Sequence, residues 1–187
     1  MERQSPVLEE IAEQDAREAC SSRWYACYTR ARHEKQVARV LDDRGFEAYL
    51  PLVPRERRWK DRLKVVDMPL FPSYVFGRFT LDRIGEVLHC PGVSTIVRCD
   101  GLPAAIPDDE IENVRRFALA LTNSDVKLEA ICHVVVGQRV RVVSGCLAGV
   151  EGVVQEVRGN KRFCVGVTAI QQGWRVRIGA ELLKPLD

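Results

Sequence analysis

Trp24, Ala26 and Tyr28 alternate with Tyr25 and Cys27 between Arg23 and Thr29. Apolar groups at both phases of a period-two pattern predict a strand covered on both faces. Val37, Val40 and Leu41 follow at helical spacing, with Arg32, Glu34, Lys35 and Arg39 on the other faces and Gly45 placed to end the helix. Phe46 to Leu50 reads as a short strand closed by Pro51 and Pro54. Apolar periodicity then lapses until Val65, which predicts a hairpin loop or a mobile excursion. In Met68 to Phe79, Tyr74, Phe76 and Arg78 share one strand face and Val75 and Phe79 the other. Pro69 and Pro72 cannot donate to a ladder and mark an edge or bend. Leu81, Ile84, Val87 and Leu88 suggest a second short helix stopped by Pro91-Gly92, and Val93 to Cys99 a strand turned by Asp100-Gly101. Ile111, Val114, Phe117, Ala118 and Leu121 mark a third helix, opened by Pro107, Asp108 and Asp109, where proline is tolerated and acids favour the helix dipole.

The chain then turns polar, and beyond it the pattern is all-β. Arg139–Val143, Gly152–Arg158, Arg162–Val167 and Trp174–Ile178 are short β-branched runs between glycines and polar turns. Short strands of this kind hide their edges by closing into a small barrel. The expected fold class is α+β: an α/β sandwich over 23–121 with a four-stranded antiparallel sheet and flanking helices, a linker over 122–132, and a small SH3-like β-barrel over 133–187. Residues 1–22 are expected to form an acidic mobile tail.

Charge sharpens this division. The net +2 of the chain hides six acids against Arg3 and Arg17 in the first 22 residues, and Arg55 to Lys64 holds six bases against Glu56 and Asp61. Such a basic run suits a polyanion or an acidic protein surface. The seven cysteines include no C-x-x-C pair and are odd in number, which argues for reduced thiols and against a zinc site or a disulfide scaffold. No apolar run nears the roughly 20 residues of a membrane span, and no signal-peptide pattern opens the chain. A soluble cytoplasmic protein is expected, with no metal, no cofactor and no membrane partner.

The segment "VVVGQRVRVVSGCLAGVEGVV", residues 134–154, places Gly137 before a strand, Gly145 and Gly149 around a tight turn, and Gly152 at the start of the next strand. It resembles the KOW motif of NusG-type transcription factors and some ribosomal proteins, and these glycines are expected to shape the barrel. "WYACYTRARHEKQVARVLDDRGFEAYLP", "MPLFPSYVFGRF" and "PGVSTIVRCDGLPAAIPDDEI" occur in the order and at the spacing of the N-terminal (NGN) domain of the NusG family. With the KOW segment, this resemblance covers nearly all of the chain outside the tail and linker. The family's usual glycine in F-P-G-Y is Ser73 here.

The resemblance implies a transcription elongation factor that binds the β′ clamp helices of RNA polymerase and suppresses pausing or termination. The polymerase-binding positions it implies are Trp24, Tyr25, Leu70, Phe71, Pro72, Tyr74 and Phe76, forming an exposed apolar hollow near residue 72. Within that set Trp24 and Phe76 read as core, and Phe71 and Tyr74 as contacts. Glu86, His89 and Cys90 would face the β gate loop and the non-template strand. Arg30, Arg32, His33, Arg57, Arg58, Trp59, Lys60 and Arg62 would lie toward upstream DNA, an aromatic among cations suiting stacking and phosphate contact. In the barrel, Leu147, Val150 and Ile170 match loop tips through which NusG contacts Rho or a small-subunit ribosomal protein. Those tips are often aromatic in the family and aliphatic here, which favours a specialised operon antiterminator of the UpxY or RfaH kind over a general factor. A monomer is expected. Two rivals remain: a KOW-containing module of the translation apparatus, and an enzyme using Cys90 beside His89 or Cys132 beside His133. Sequence neighbours on a strand point apart, and no base with its orienting partner is visible.

Overall fold

In the computed structural model of this chain, residues 21–59, 62–122, 124, 126–131, 137–157 and 160–186 are described. Nearly all of the expected acidic tail, Cys20, Lys60, Cys132 and His133 lie outside the described residues, as do the side chains of Arg57 and Trp59.

Strand β1 (Arg23–Thr29) is central in its sheet and carries apolar groups on both faces. Helix α1 (Glu34–Asp43) buries Val37 and Leu41 and ends at Gly45, whose φ of 76° lets the chain turn back into β2 (Glu47–Tyr49). Then come β3 (Leu52–Trp59), β4 (Arg62–Pro69), β5 (Tyr74–Phe79), α2 (Ile84–Leu88), β6 (Val93–Ile96), β7 (Arg98–Cys99), β8 (Leu102–Pro103), β9 (Ala105–Ile106) and α3 (Asp108–Thr122). The sheet runs β2-β5-β1-β6, with β9 also pairing with β1, and all these pairs are antiparallel. The basic run differs from the loop expected of it. It forms strands β3 and β4, paired from Leu52↔Pro69 to Trp59↔Arg62 as a separate two-stranded ribbon.

The two sheet faces carry different loads. Tyr25, Cys27, Val75 and Phe79 pack beneath α1 and α2 with Val37, Leu41, Phe46 and Val87. Trp24, Ala26 and Phe76 look the other way, toward Ile111, Val114, Phe117, Ala118 and Leu121 of α3. The five periodic positions that marked the third helix are therefore all buried, while Leu119 of the same helix is exposed.

The second unit contains β10 (Leu128–Ile131), β11 (Gln138–Val142), β12 (Glu151–Val157), β13 (Asn160–Val167), β14 (Gln172–Val176) and β15 (Leu183–Pro185), in the order β10-β14-β13-β12-β11-β15. Strand β10 falls within the stretch read as linker and pairs with β14 from Leu128↔Val176 to Ile131↔Gly173. A β-carbon at Gly152 would run into the Cys164 carbonyl and the Phe163 ring, and Gly149 turns at φ 84°, so both positions require glycine for the barrel to close.

Candidate functional site

The turn between β4 and β5, Leu70 to Ser73, is tied down from several sides. The Leu70 N–H donates to the Pro51 carbonyl (2.8 Å) and the Tyr74 N–H to the Phe71 carbonyl (3.2 Å). Ser73 sits at φ 66°, a left-handed conformation that costs a side-chain-bearing residue roughly 1–2 kcal/mol. Two hydrogen bonds hold it there: its N–H donates to Glu34 Oε1 (2.8 Å), and its carbonyl accepts from the Thr29 N–H (2.8 Å). The buried Glu34 carboxylate thus links the first turn of α1 to the proline turn.

This turn delivers Leu70 and Phe71 onto the sheet face that looks toward α3. The register places Trp24 opposite Arg78, Ala26 opposite Phe76, and Tyr28 opposite Tyr74 on that face. Phe71 meets Phe76 edge-on at 6.0 Å, Tyr49 stacks on Phe76 at 6.3 Å, and Tyr28 meets Tyr74 edge-on at 5.3 Å. The Arg115 guanidinium of α3 lies over Tyr49 at 4.5 Å and over Trp24 at 5.5 Å. Tyr25 does not belong to this group. It stacks on Phe79 at 4.8 Å on the opposite face, because consecutive strand residues point to opposite sides. Tyr28, absent from the predicted set, does belong. The alternation Trp24, Ala26, Tyr28 was the signal for it.

The hollow expected beside residue 72 is covered. Phe71 is 1% exposed and Leu70 wholly buried, in one contiguous apolar cluster with α3 and with Val165, Val167 and Ile170 of the barrel. Trp174 of β14 closes the cluster, its indole N–H donating to the Leu70 carbonyl (3.0 Å). Polar groups around the rim fasten the two units. The Asn113 side chain of α3 pairs with the backbone of Glu151, donating to its carbonyl and accepting from its N–H, both at 2.7 Å. The Thr168 N–H donates to Glu110 Oε1 at 2.5 Å. Burial pushes the Glu110 carboxyl above the usual range, against the opposing pull of that hydrogen bond. A cleft of about 300 Å³ lined by Glu110, Asn113, Arg139, Glu151 and Thr168 runs along this seam. The edge of the aromatic face stays open: Pro72 is exposed, Tyr28 is 42% exposed and Tyr74 is half-buried.

The remaining predicted positions divide. Arg30 and Arg32 are exposed and His33 half-buried at the start of α1. Glu86 is engaged by Arg83 through two hydrogen bonds of 2.9 Å, which hold its carboxyl below the usual range. His89 Nδ1 lies 2.6 Å from the Gly85 carbonyl, so the ring caps α2. Cys90 is buried under that helix and presents no surface to a nucleic acid. In the ribbon, Arg58 and Arg62 are exposed. Leu147, Val150 and Ile170 are buried in the apolar cluster instead of standing out at loop tips, because the barrel needs their side chains to fill its interior. Among the described residues, no group of three or more His, Cys, Asp and Glu is placed to hold a metal ion, and no helix is long and apolar enough to cross a membrane.

Residues 22–115 match the family model described as "Transcription termination factor nusG". The chain is 27% identical over 159 residues to the "Transcription termination/antitermination protein NusG" of Staphylococcus carnosus (strain TM300), covering 77% of this chain and 84% of that protein. The protein of the same description from Staphylococcus aureus (strain N315) is 28% identical over 159 residues, with the same coverage. A solved structure described as "Domain interaction in Thermotoga maritima NusG" is 20% identical, with a TM-score of 0.47, covering 90% of this chain and 99% of that one.

Proposed function

The chain belongs to the NusG family, and from that premise we propose that it is a non-enzymatic elongation factor whose aromatic face docks on the β′ clamp helices of RNA polymerase and suppresses pausing or termination. The observation that carries this reading is the covered cluster itself. Trp24, Leu70, Phe71, Tyr74 and Phe76 are gathered on one face by a turn that spends backbone strain to aim it. A cluster of rings on a sheet margin has the composition of a hot-spot surface.

Because the barrel lies on that face, the described form is a closed one, and docking requires the barrel to leave. The apparent affinity for polymerase is then the intrinsic affinity reduced by the fraction of open molecules. Each 1.4 kcal/mol favouring closure costs about tenfold. The open rim at Tyr28 and Tyr74 gives a partner its first contact. Once bound, the protein acts on pausing only through its differential affinity for the elongating state of the polymerase, so no catalytic residue is needed. Glu86 and His89 are proposed to face the gate loop and non-template strand, and Arg30, Arg32, His33 and the basic ribbon upstream DNA. The specialised antiterminator is favoured over a general factor working through Rho or the ribosome, since Leu147, Val150 and Ile170 are core positions of the barrel and offer a partner no surface in the closed form.

The test is co-purification with RNA polymerase and terminator read-through, with and without Rho. Phe71→Ala would remove a core ring, at a cost of about 3–5 kcal/mol, so the informative variant is Tyr28→Ala with Tyr74→Ala, at the open rim. It is expected to lose polymerase binding and read-through while melting like the wild type. Full binding by that variant would refute the dock; association with ribosomes in place of polymerase would favour the translation-module rival.

A further inference from the structure

Strand β10 lies at the edge of the barrel sheet, in a stretch that reads as linker. Three observations mark it as weakly held. Its sequence, Leu-Glu-Ala-Ile, opens with three residues that favour helix over strand, so tertiary contacts keep it extended against local preference. It pairs with β14 through four residues, and Glu129 and Ala130 are exposed. Its ion pair, Glu129 with Arg175 at 3.3 Å, is made by a half-buried arginine whose Nε is buried without an acceptor among the described residues. A short edge strand beside an unsatisfied donor belongs to the part of a fold that opens first.

Its place in the fold gives that weakness a consequence. Ala130 pairs directly with Trp174, the residue whose indole N–H holds the Leu70 carbonyl across the seam. Leu128 and the preceding Val126 pack against the apolar cluster that the two units share. Strand β10 is thus joined to the barrel by its pairing and to the seam by its side chains. It also sets the tether. Five residues, 123–127, separate the end of α3 at Thr122 from Leu128, and they span at most about 20 Å. With β10 detached, the chain between α3 and β11 is fifteen residues, 123–137, with a reach of about 55 Å. A helix with its side chains is about 10–12 Å across, so a barrel kept within about 20 Å of α3 stays in the path of a docking helix pair.

We propose that β10 is a releasable strand, which leaves β14 when the barrel leaves the aromatic face and so supplies the length of chain that lets the polymerase helices in. The device rests on the closed form of the proposed function and adds the step by which it opens. Separation of the units takes away the packing of Leu128 and frees Trp174 opposite Ala130, the two supports that offset the poor strand propensity of β10. Opening and release are therefore one event.

The experiment is residue-level hydrogen exchange on the full chain, comparing wild type with Asn113→Ala, which loosens the seam without touching β10. The Thr168 N–H, bound to Glu110 across the seam, reports opening, and the β10 amides that pair with β14 report release. Both are expected to exchange faster in the variant by one common factor of about 5- to 30-fold. A faster Thr168 amide with β10 amides at their wild-type rates would overturn the proposal and leave the closed form standing; no change at either would overturn both. A second variant, Glu129→Cys with Arg175→Cys, tests the consequence for docking. These positions are directly paired, within reach of a disulfide. With the bridge verified by mass spectrometry, the oxidised protein is expected to bind RNA polymerase about tenfold more weakly, or worse, than the same protein reduced. Equal binding by the two forms would also overturn the proposal. Absence of polymerase binding by wild type counts against the dock alone, since the exchange measurement needs no polymerase.

Discussion

Asn113→Ala removes a side chain that joins α3 to the barrel by two hydrogen bonds. Pairing of β12 with β13 begins only at Val153↔Cys164, so the backbone of Glu151 lacks a β13 neighbour, and the Asn113 amide supplies the missing donor and acceptor. Two neutral hydrogen bonds contribute about 1 kcal/mol each. The cleft beside them is open to water, which can satisfy the freed groups in part, so a net loss of about 1–2 kcal/mol is expected. That weakens closure about 5- to 30-fold. While closed molecules predominate, the apparent affinity for RNA polymerase rises by the same factor, because only the open fraction binds. The assay is a binding titration of polymerase against both proteins, with proximity between donor and acceptor dyes on the two units as an independent readout of opening. Asn113→Ala that binds polymerase no better than wild type, with the dye proximity reduced, would show that opening and docking are unconnected. Unchanged proximity would show that the two hydrogen bonds do not hold the units together.

Trp174→Phe keeps a ring in the seam but removes the donor to the Leu70 carbonyl; polymerase affinity should rise by a few-fold to tenfold, about 1 kcal/mol, in the same titration. Glu110 has its folded pKa raised by burial, so its contribution to the closed form is fully present below its unfolded pKa and is lost as pH rises through the folded value. Opening should therefore increase with pH, and Glu110→Gln, which keeps an acceptor for Thr168, should flatten that dependence. Among the described cysteines, burial pushes the Cys27 thiol to about 12, while Cys99 and Cys146 are exposed. Alkylation followed by mass spectrometry should label Cys99 and Cys146 quickly and leave Cys27 untouched until the protein unfolds. Glu34→Ala should cost about 1.5–3 kcal/mol in thermal or urea unfolding, since it leaves the Ser73 N–H without its charged acceptor.

Several elements could be read in advance because their causes are local. The alternation across Arg23–Thr29 gave β1 its limits, and Ile111, Val114, Phe117, Ala118 and Leu121 of α3, the positions that marked the helix, all turned inward. The ribbon differs from the hairpin loop or mobile excursion expected there for a physical reason: β3 carries Arg55, Glu56, Arg57 and Arg58 in succession, and a reading keyed to apolar periodicity sees nothing in such a run. The resemblance groups Tyr25 with Trp24, although the pleat sends them to opposite cores. The resemblance matches Leu147, Val150 and Ile170 to loop tips, since matching motifs give order along the chain and not depth.

The amino-acid order therefore determined which segments are strands or helices and which family the motifs resemble, since period, turn residues and glycine positions act over a few neighbours. Only the tertiary structure decided that Leu70 and Trp174, 104 residues apart, would meet and place the barrel over the aromatic face. It also took the pairing of β10 with β14 to make a strand of residues that read as linker. Both depend on contacts between surfaces that each look complete by themselves, and the free energy that brings such surfaces together leaves no periodic trace in either segment.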